Sequence, residues 1–389
     1  MLVTVSVTVD VPSTHIDDIE SAALDAGREG ARRAIEQACE RLEASRSRRR
    51  RVGTRRRVVL TRVGWITLHR GRARRGDGTY RFPLDERLGL PAHHEATPAV
   101  RQRGTELACT HPYREAARLL SREIGTAVDH RAIWRWVQSD GDRVLRARAE
   151  RVEAMFTWGE APPRPTQLVP EALTLAVDAT GIRVVGGGRA GVKLAVAYTG
   201  TTGPGGRRRL VSRHVFAEIC EPDEFGRALA HELERTYGAH KIARLMLLAD
   251  GEVWIKQLAD DWLPTARYQC DHWHLAAKIR GFCGLGERRF RHMLDRAFDA
   301  PDRLAGDLAR GRFRGDPDLA HQLATYLRNN GPYLHTYRRM GPGRWHHGSG
   351  PAEKHIELTV NRRFKRRGMR WSIPGARNLL ALRLEVIAA

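Results

Sequence analysis

LTLAVDATGIRV, residues 173–184, is the stretch that decides the fold, because it is an apolar run that carries an acid, Asp178. RLMLLADGEVWI, residues 244–255, repeats this arrangement with Asp250. Short apolar runs bounded by glycine and polar residues are typical of buried strands. One aspartate after a strand is weak evidence of chemistry, because such residues often cap a helix or form a turn. The order of the elements around the two acids gives the pair more weight.

The pattern after residue 170 predicts a sheet with a definite order of strands. We expect strands at 173–177, 192–197, 209–216, 244–248 and 266–269, with helices at 222–237 and 254–262. Three strands in a meander, followed by alternating helix and strand, is the order of an RNase H-like fold. In such a sheet the first and fourth strands lie side by side, so Asp178 and Asp250 are expected to meet at one sheet edge.

A third acid, Glu353, begins an amphipathic, arginine-rich helix in GSGPAEKHIELTVNRRFKRRGMRW, residues 348–371. Carboxylates at the ends of adjacent strands and on a packing helix can hold two divalent metal ions. A pair of such ions supports attack on a phosphodiester. Glu357 lies one helical turn after Glu353 and is an alternative third acid.

We expect six regions along the chain, which together form an α/β protein. A mostly α N-terminal DNA-binding region with a small β-sheet precedes an RNase H-like mixed sheet that contains a helical insertion. The predicted regions are 1–57 with a strand at 3–9, a long helix and a basic arm, 58–110 as a small β-rich region, 111–160 as a helix-turn-helix, 171–285 as the first part of the catalytic domain, 286–345 as a basic helical insertion, and 346–389 as the last part with the third acid.

The chain is strongly basic, since its 389 residues include 67 Lys and Arg against 45 Asp and Glu, a formal net charge of +22. A clustered excess of this size is typical of proteins that bind nucleic acid, and the alternative is a solvated basic surface without a partner. The five cysteines are scattered and form no CxxC pair, which favours a reducing, intracellular setting. No signal peptide or apolar run of membrane-spanning length is recognised, so no membrane association is expected.

Basic residues in four places are candidate DNA contacts. Arginines within 45–57 form a phosphate-contacting arm or the solvated end of a helix. Two arginines on the second helix of the helix-turn-helix enter a major groove or cover an ordinary helical hairpin. The others follow a glycine-rich turn or Glu353. The candidates are Arg48, Arg49, Arg50, Arg55, Arg56, Arg131, Arg135, Arg207, Arg208, Arg362, Arg363 and Lys365.

Short motifs along nearly the whole chain carry a family resemblance. They are VDATG, ADGEVWI, CDHWHL and GSGPAEKHI with RRFKRRGMRWSIPGARNLLALR, and, upstream, RVVLTRVGWITLHR, FPLDERLGL and YREAARLL. With these motifs the chain resembles the bacterial insertion-sequence DDE transposases, nearest to the ISKra-type and ISLre-type branch, which are relatives of the Mutator-like superfamily. The resemblance implies that Asp178, Asp250 and Glu353 are the metal-binding catalytic triad of an RNase H-like core.

The resemblance also implies cofactors, partners and a location. Two Mg²⁺ ions are expected, with Mn²⁺ as an alternative, and the expected partners are double-stranded DNA of the element's terminal inverted repeats and of the target. A homodimer or higher oligomer is expected, because a transposase must bring two ends together. The expected location is the bacterial cytoplasm, in association with the nucleoid. The alternatives are an RNase H-like nuclease without strand transfer and a domesticated, non-catalytic DNA-binding protein.

CDHWHL adds Asp271 and His274, a DxxH pattern that Mutator-like transposases share. In the functional interpretation His274 contacts a DNA phosphate or orients the site, with Asp271 in support. The alternative is a helix N-cap beside a structural histidine. Trp345 and Trp371 flank the Glu353 segment and either stack on a base or pack in the core.

Overall fold

The computed structural model describes residues 1–11, 13–45, 51–203, 209–334 and 348–388. The chain is a mixed α/β protein, as the sequence predicts, and its described residues form a three-stranded, a five-stranded and a two-stranded sheet. It divides into two compact units, Met1–Asp140 and Gly141–Ala389. In the described residues, no helix combines the length and the apolar composition that crossing a bilayer requires.

The first unit pairs a long helix with a small antiparallel sheet. Its elements are α1 (Ile16–Ala44), β1 (Arg51–Thr61), β2 (Gly64–Arg74), β3 (Tyr80–Arg81), α2 (Pro83–Arg87), α3 (Pro98–Thr110) and α4 (Tyr113–Ile124). Cys39 of α1 packs with Val59, Ile66 and Leu68 of the hairpin in an apolar cluster. Burial of this apolar surface stabilises the unit.

Two expectations for the N-terminal 57 residues are corrected. The strand expected at 3–9 is not formed within the described residues 1–11. Val7 lies against Gly30 of α1, so this segment packs along a helix and does not pair with a strand. The basic residues from Arg51 onward belong to strand β1, which turns back into β2 at Thr61–Gly64, so the arm is part of a hairpin there.

Two helices joined by a short turn occupy the region in which a helix-turn-helix is predicted. Helix α4 ends at Gly125, whose left-handed φ of 69° suits glycine. The Asp129 side chain accepts a hydrogen bond from the Arg131 backbone, which is the contact of a helix N-cap. Helix α5 then runs from His130 to Phe156 and includes Gly141. A Cβ at Gly141 would lie 2.4 Å from the Asn378 carbonyl oxygen, so this glycine allows a close contact with the Asn378 backbone.

The second unit is built on a five-stranded sheet. Its strands are β4 (Ala172–Arg183), β5 (Arg189–Tyr198), β8 (His214–Glu218), β9 (Arg244–Ala249) and β10 (Ala266–Cys270), while β6 (Gly200–Thr202) and β7 (Arg209–Val211) form a separate ribbon. The order across the sheet is β10-β9-β4-β5-β8. Strand β9 pairs with β4 and β10 in parallel, and β5 pairs with β4 and β8 in antiparallel fashion. The first and fourth strands are therefore neighbours, as the sequence predicts.

Helices cover this sheet and form the insertion. They are α6 (Pro222–Tyr237), α7 (Val253–Trp262), α8 (His272–Cys283), α9 (Glu287–Asp299), α10 (Pro301–Ala309) and α11 (Pro317–Leu334). One large apolar core joins Leu175 and Val177 of β4 with Phe225 of α6, Ile255 of α7 and Leu327 of α11. The predicted helical insertion therefore shares its core with the sheet.

The C-terminal part contains a helix that changes type along its length. It begins as α12 (Gly350–His355), continues as a π-helical segment (Ile356–Asn361) and ends as α13 (Arg362–Phe364). The sequence predicts one uniform helix over 350–366, and the π-helical segment is the difference. Trp371 then pairs with the end of β4, and α14 (Ile373–Ala388) completes the fold.

Candidate active site: a carboxylate cluster on the central sheet

Asp178 and Asp250 lie at the same level on neighbouring strands. The parallel register pairs Ala176 of β4 with Leu248 of β9, and each acid comes two residues later in its strand or just after it. Side chains two residues apart share a face of a sheet. The structure therefore brings these two predicted residues together at the carboxyl end of β9.

The electrostatics of Asp178 show a cluster of negative charge around it. Its pKa is raised from 3.8 to about 6, first because burial penalises the charged form, and then by repulsion from Asp250, Glu353 and Glu252. A hydrogen bond of 2.7 Å that the Ala179 backbone donates to Asp178 Oδ1 acts in the opposite direction. All three predicted acids thus interact at one place.

The insertion helix α11 fixes the turn that carries Asp250. The Tyr326 hydroxyl donates to the Asp250 carbonyl oxygen at 3.2 Å. Asn330, buried to 2% exposure, lies against Gly251, whose φ of 99° favours glycine. The Asp250 carboxylate accepts from the Glu252 backbone at 3.0 Å. Sequence reasoning missed Tyr326 and Asn330, and the polar Asn330 on an apolar helix face was the one available signal.

Glu353 reaches the cluster from helix α12, which packs against β4 and β5. Its side chain is 54% exposed, and its Oε1 lies 3.3 Å from His274 Nε2. Glu357, the rival third acid, accepts a hydrogen bond from Asn361 at 3.0 Å and pairs with Arg362 at 3.6 Å. Glu353 raises the pKa of Asp178 through repulsion.

Asp271 is buried, 1% exposed, and holds two segments together. Its Oδ1 accepts from the Trp273 backbone at 2.6 Å, which caps helix α8. Its Oδ2 accepts from the backbone and hydroxyl of Ser349 at 2.6 and 2.5 Å. Asp271 therefore ties the start of the Glu353 helix to the end of β10, so the N-cap interpretation of this residue holds and a positioning role is added.

Two groups of possible metal ligands share Glu353. The first is the three-acid cluster of Asp178, Asp250 and Glu353 around which the pKa of Asp178 is raised. The second is Asp271, His274 and Glu353, whose ligand atoms lie within 4.8 Å of one another. Carboxylate oxygens suit Mg²⁺ and Mn²⁺, whereas imidazole nitrogen favours softer metals. The three acids offer only oxygen ligands, whereas Asp271, His274 and Glu353 are the group of described residues whose ligand atoms the structure brings within 4.8 Å of one another.

A lysine lies beside the acids. Lys365 Nζ donates to Thr180 Oγ1, two residues after Asp178 on β4. The pKa of Lys365 is lowered, mainly by burial and by Arg189, while Glu357 and Asp178 act to raise it. Lys365 therefore places a positive charge beside the carboxylate cluster.

The other predicted DNA contacts divide into exposed, buried and undescribed residues. Arg55 and Arg56 are exposed on β1, Arg131 and Arg135 are exposed on one face of α5, and Arg362 is exposed beside Glu357. Arg363 is corrected: it is 1% exposed, with its guanidinium over the Trp371 ring, so it is unavailable to a phosphate. Arg48, Arg49, Arg50, Arg207 and Arg208 lie outside the described residues, as does Trp345.

Trp371 is a core residue. It is 8% exposed, and its indole nitrogen donates to the Phe364 carbonyl oxygen at 3.0 Å. Its backbone nitrogen donates to the Arg183 carbonyl oxygen at 3.1 Å, and its carbonyl accepts from Val185 at 2.9 Å. Of the two alternatives, core packing is the correct one, and this contact anchors the Glu353 segment to β4.

These features define a mixed α/β protein with acids gathered on a central sheet. The chain belongs to UPF0236, an uncharacterised protein family, whose pattern matches residues 16–310. Asp178 and Asp250 lie within the matched residues and Glu353 lies beyond them. A UPF0236 protein of Caldanaerobacter subterraneus subsp. tengcongensis is 21% identical over 322 residues, which cover 80% of this chain and 63% of that relative. The match thus leaves more than a third of the relative's length uncovered.

Proposed function

We propose that the protein is a DNA transposase that cuts and joins DNA at the carboxylate cluster. The observation that carries the proposal is the placement of Asp178 and Asp250 at the same level on the neighbouring strands β4 and β9, with Glu353 on helix α12, which packs against β4. Acids gathered in a partly buried site cost stability unless a cation neutralises them. Such an arrangement is typical of functional sites.

The donor set fits Mg²⁺ or Mn²⁺. Asp178, Asp250 and Glu353 would hold the metal through hard carboxylate oxygens, and Asp271 would keep the Glu353 helix in place. Bound divalent metal at such a site activates a nucleophilic oxygen and neutralises charge on the phosphodiester. The chain itself positions the carboxylates through the Asp250 turn and the Asp271–Ser349 contact, and it offers Lys365 to the phosphate.

Three further observations support this function. The strand order β10-β9-β4-β5-β8 is the order expected for an RNase H-like sheet. The net charge of +22 suits a polyanionic substrate. The name of the Caldanaerobacter relative joins eleven designations from one strain. Many copies of a gene in one genome are typical of mobile elements, so this relative supports the same interpretation for this chain.

The test is a cleavage assay on duplex DNA that carries the sequences flanking the gene. Asp178→Asn, Asp250→Asn and Glu353→Gln are each expected to reduce Mg²⁺-dependent cleavage on the order of 1,000-fold or more. Each variant should bind DNA as the unchanged protein does, because removing an acid removes no attraction to phosphate. Glu357→Gln is the matched control and should cut normally.

The same assay separates the proposal from its alternatives. Joining of a 3′-hydroxyl oligonucleotide to target DNA is expected of a transposase, while hydrolysis without joining indicates a nuclease. DNA binding with no cleavage in Mg²⁺ or Mn²⁺ indicates a non-catalytic protein. A Glu357→Gln variant that loses activity while Glu353→Gln keeps it would move the third acid to Glu357.

A further inference from the structure

An exposed tryptophan lies next to the carboxylate cluster. Trp273 is 68% exposed, more than any other tryptophan in the described part of the chain. Large aromatic side chains are normally covered because burying them is favourable. An exposed indole beside a polar site is available for stacking on a planar ligand.

The position of Trp273 is fixed by residues of the site. It follows the buried Asp271 cap by two residues and precedes His274, whose Nε2 lies 3.3 Å from Glu353 Oε1. A Cβ at Gly348 would lie 2.9 Å from Trp273 Cδ1, so the segment that begins the Glu353 helix touches the indole. Because residue 348 is a glycine, the indole ring can lie where a larger side chain would otherwise be.

The Trp273 indole contacts the His272 ring, which in turn contacts a third aromatic ring. Its ring meets that of His272 edge to face, with centroids 6.0 Å apart and an interplanar angle of 87°. His272 in turn stacks on Phe298 of α9, with centroids 5.5 Å apart and planes within 7°. Helix α9 belongs to the insertion. A braced ring loses little further freedom when a planar ligand stacks on it.

We propose that Trp273 is a stacking platform for an unpaired nucleobase of the DNA strand whose phosphodiester lies at Asp178, Asp250 and Glu353. This inference rests on the proposed function and names a binding position within it. Stacking suits any base, because every base has a π-face, and it requires the base to leave the duplex. The chain thus contacts one nucleotide at two points. The phosphate lies near the three acids and Lys365, and the base stacks on Trp273.

The test uses 2-aminopurine, a fluorescent base that stacking quenches. The probes are a duplex with one unpaired 2-aminopurine at an end and the same duplex fully paired, both in Ca²⁺ so that binding is measured without turnover. Trp273→Ala should abolish the quenching and bind the unpaired probe about tenfold more weakly, with the paired probe unaffected. Trp273→Phe should retain part of both effects.

Trp158→Ala is the matched control, because Trp158 is 64% exposed and lies after the end of α5, outside the candidate site. It should behave as the unchanged protein. Quenching that survives in Trp273→Ala, or that is absent from the unchanged protein, overturns the platform. The proposed function fails separately, since a protein that never cuts DNA in Mg²⁺ can still show Trp273-dependent quenching, and one that cuts can lack it.

Discussion

At the scale of single residues, the charged form of Asp178 is unfavourable in the folded protein. The carboxylate is partly buried and repelled by Asp250, Glu353 and Glu252, and these effects raise its pKa to about 6. An acid whose pKa rises on folding binds its proton more tightly in the folded state, so its ionisation destabilises the fold. The penalty is absent below about pH 4, develops as the pH rises to about 6, and is complete above that.

Asp178→Asn is therefore expected to stabilise the metal-free protein. Above pH 6 the gain in free energy of unfolding should be on the order of 2 kcal/mol, and it should vanish towards pH 4. Urea unfolding in EDTA across this pH range measures it, with the exposed Asp260→Asn as control. Adding Mg²⁺ should stabilise the unchanged protein, so that its free energy of unfolding exceeds that of Asp178→Asn. Equal stability of the two proteins at pH 8 would contradict the account.

Individual residues differed in how far the sequence could predict them. Asp178 and Asp250 were found because each follows a recognisable strand. Arg363 was placed on the surface because it stands in a run of charges, yet it packs on Trp371 through a turn that periodicity does not show. Tyr326 and Asn330 meet the Asp250 turn from 76 or more residues away, and contacts over that distance leave no local pattern.

At the scale of elements, the insertion helix α11 supports the site. Asn330 accepts from the Cys270 thiol at 3.1 Å and donates to the Tyr326 carbonyl oxygen at 3.0 Å, while also touching Gly251. One buried amide thus links β10, α11 and the turn after β9. The insertion is in this sense part of the site's framework.

Gly251→Ala is expected to disturb this framework. The new Cβ would lie 2.6 Å from Asn330 Oδ1, and the φ of 99° is unfavourable for alanine, so we expect a loss of about 1–3 kcal/mol in stability. Cleavage should fall as well, because the turn carries Asp250. Thermal unfolding and the cleavage assay measure the two effects.

Gly281→Ala is the control for this substitution. Gly281 lies within helix α8, and a Cβ there would meet nothing within 4 Å. Alanine should therefore stabilise that helix by about 0.5–1 kcal/mol and leave cleavage unchanged. If the two glycine variants behave alike, the contact with Asn330 is not what holds the turn.

The order of strands was predictable, whereas interruptions and extensions of helices were not. Short apolar runs indicate buried strands, and they placed four of the five strands of the central sheet. The strand predicted at 209–216 instead divides into β7 of the ribbon and β8 of the sheet. Glycine commonly ends helices, yet Gly141 lies inside α5, where the Asn378 backbone occupies the space that a side chain would need.

At the scale of the whole molecule, the net charge of +22 makes DNA binding a measurable expectation. Replacing both Arg131 and Arg135 by alanine should lower the slope of log affinity against log salt concentration by about 2, because each phosphate contact releases about one counterion. Fluorescence anisotropy with duplex DNA over a range of salt measures the slope. Arg146→Ala is the control, since Arg146 is exposed and paired with Asp142 at 2.7 Å. An unchanged slope in the double variant would exclude this helix face from the DNA interface.

The π-helical segment Ile356–Asn361 has a consequence for how the chain tolerates changes in length. A π-helical turn closes its hydrogen bonds over one residue more than an α-helical turn does, so the segment behaves like an α-helix with an inserted residue. Deleting one codon here, such as that for Leu358, would restore regular winding. It would leave Lys365 close to its present orientation relative to Glu353, because the π-helical turn already absorbs the extra residue. One in-frame deletion in this segment would then keep the lysine beside the acids, whereas a deletion in a regular α-helix turns the residues that follow it by about 100°.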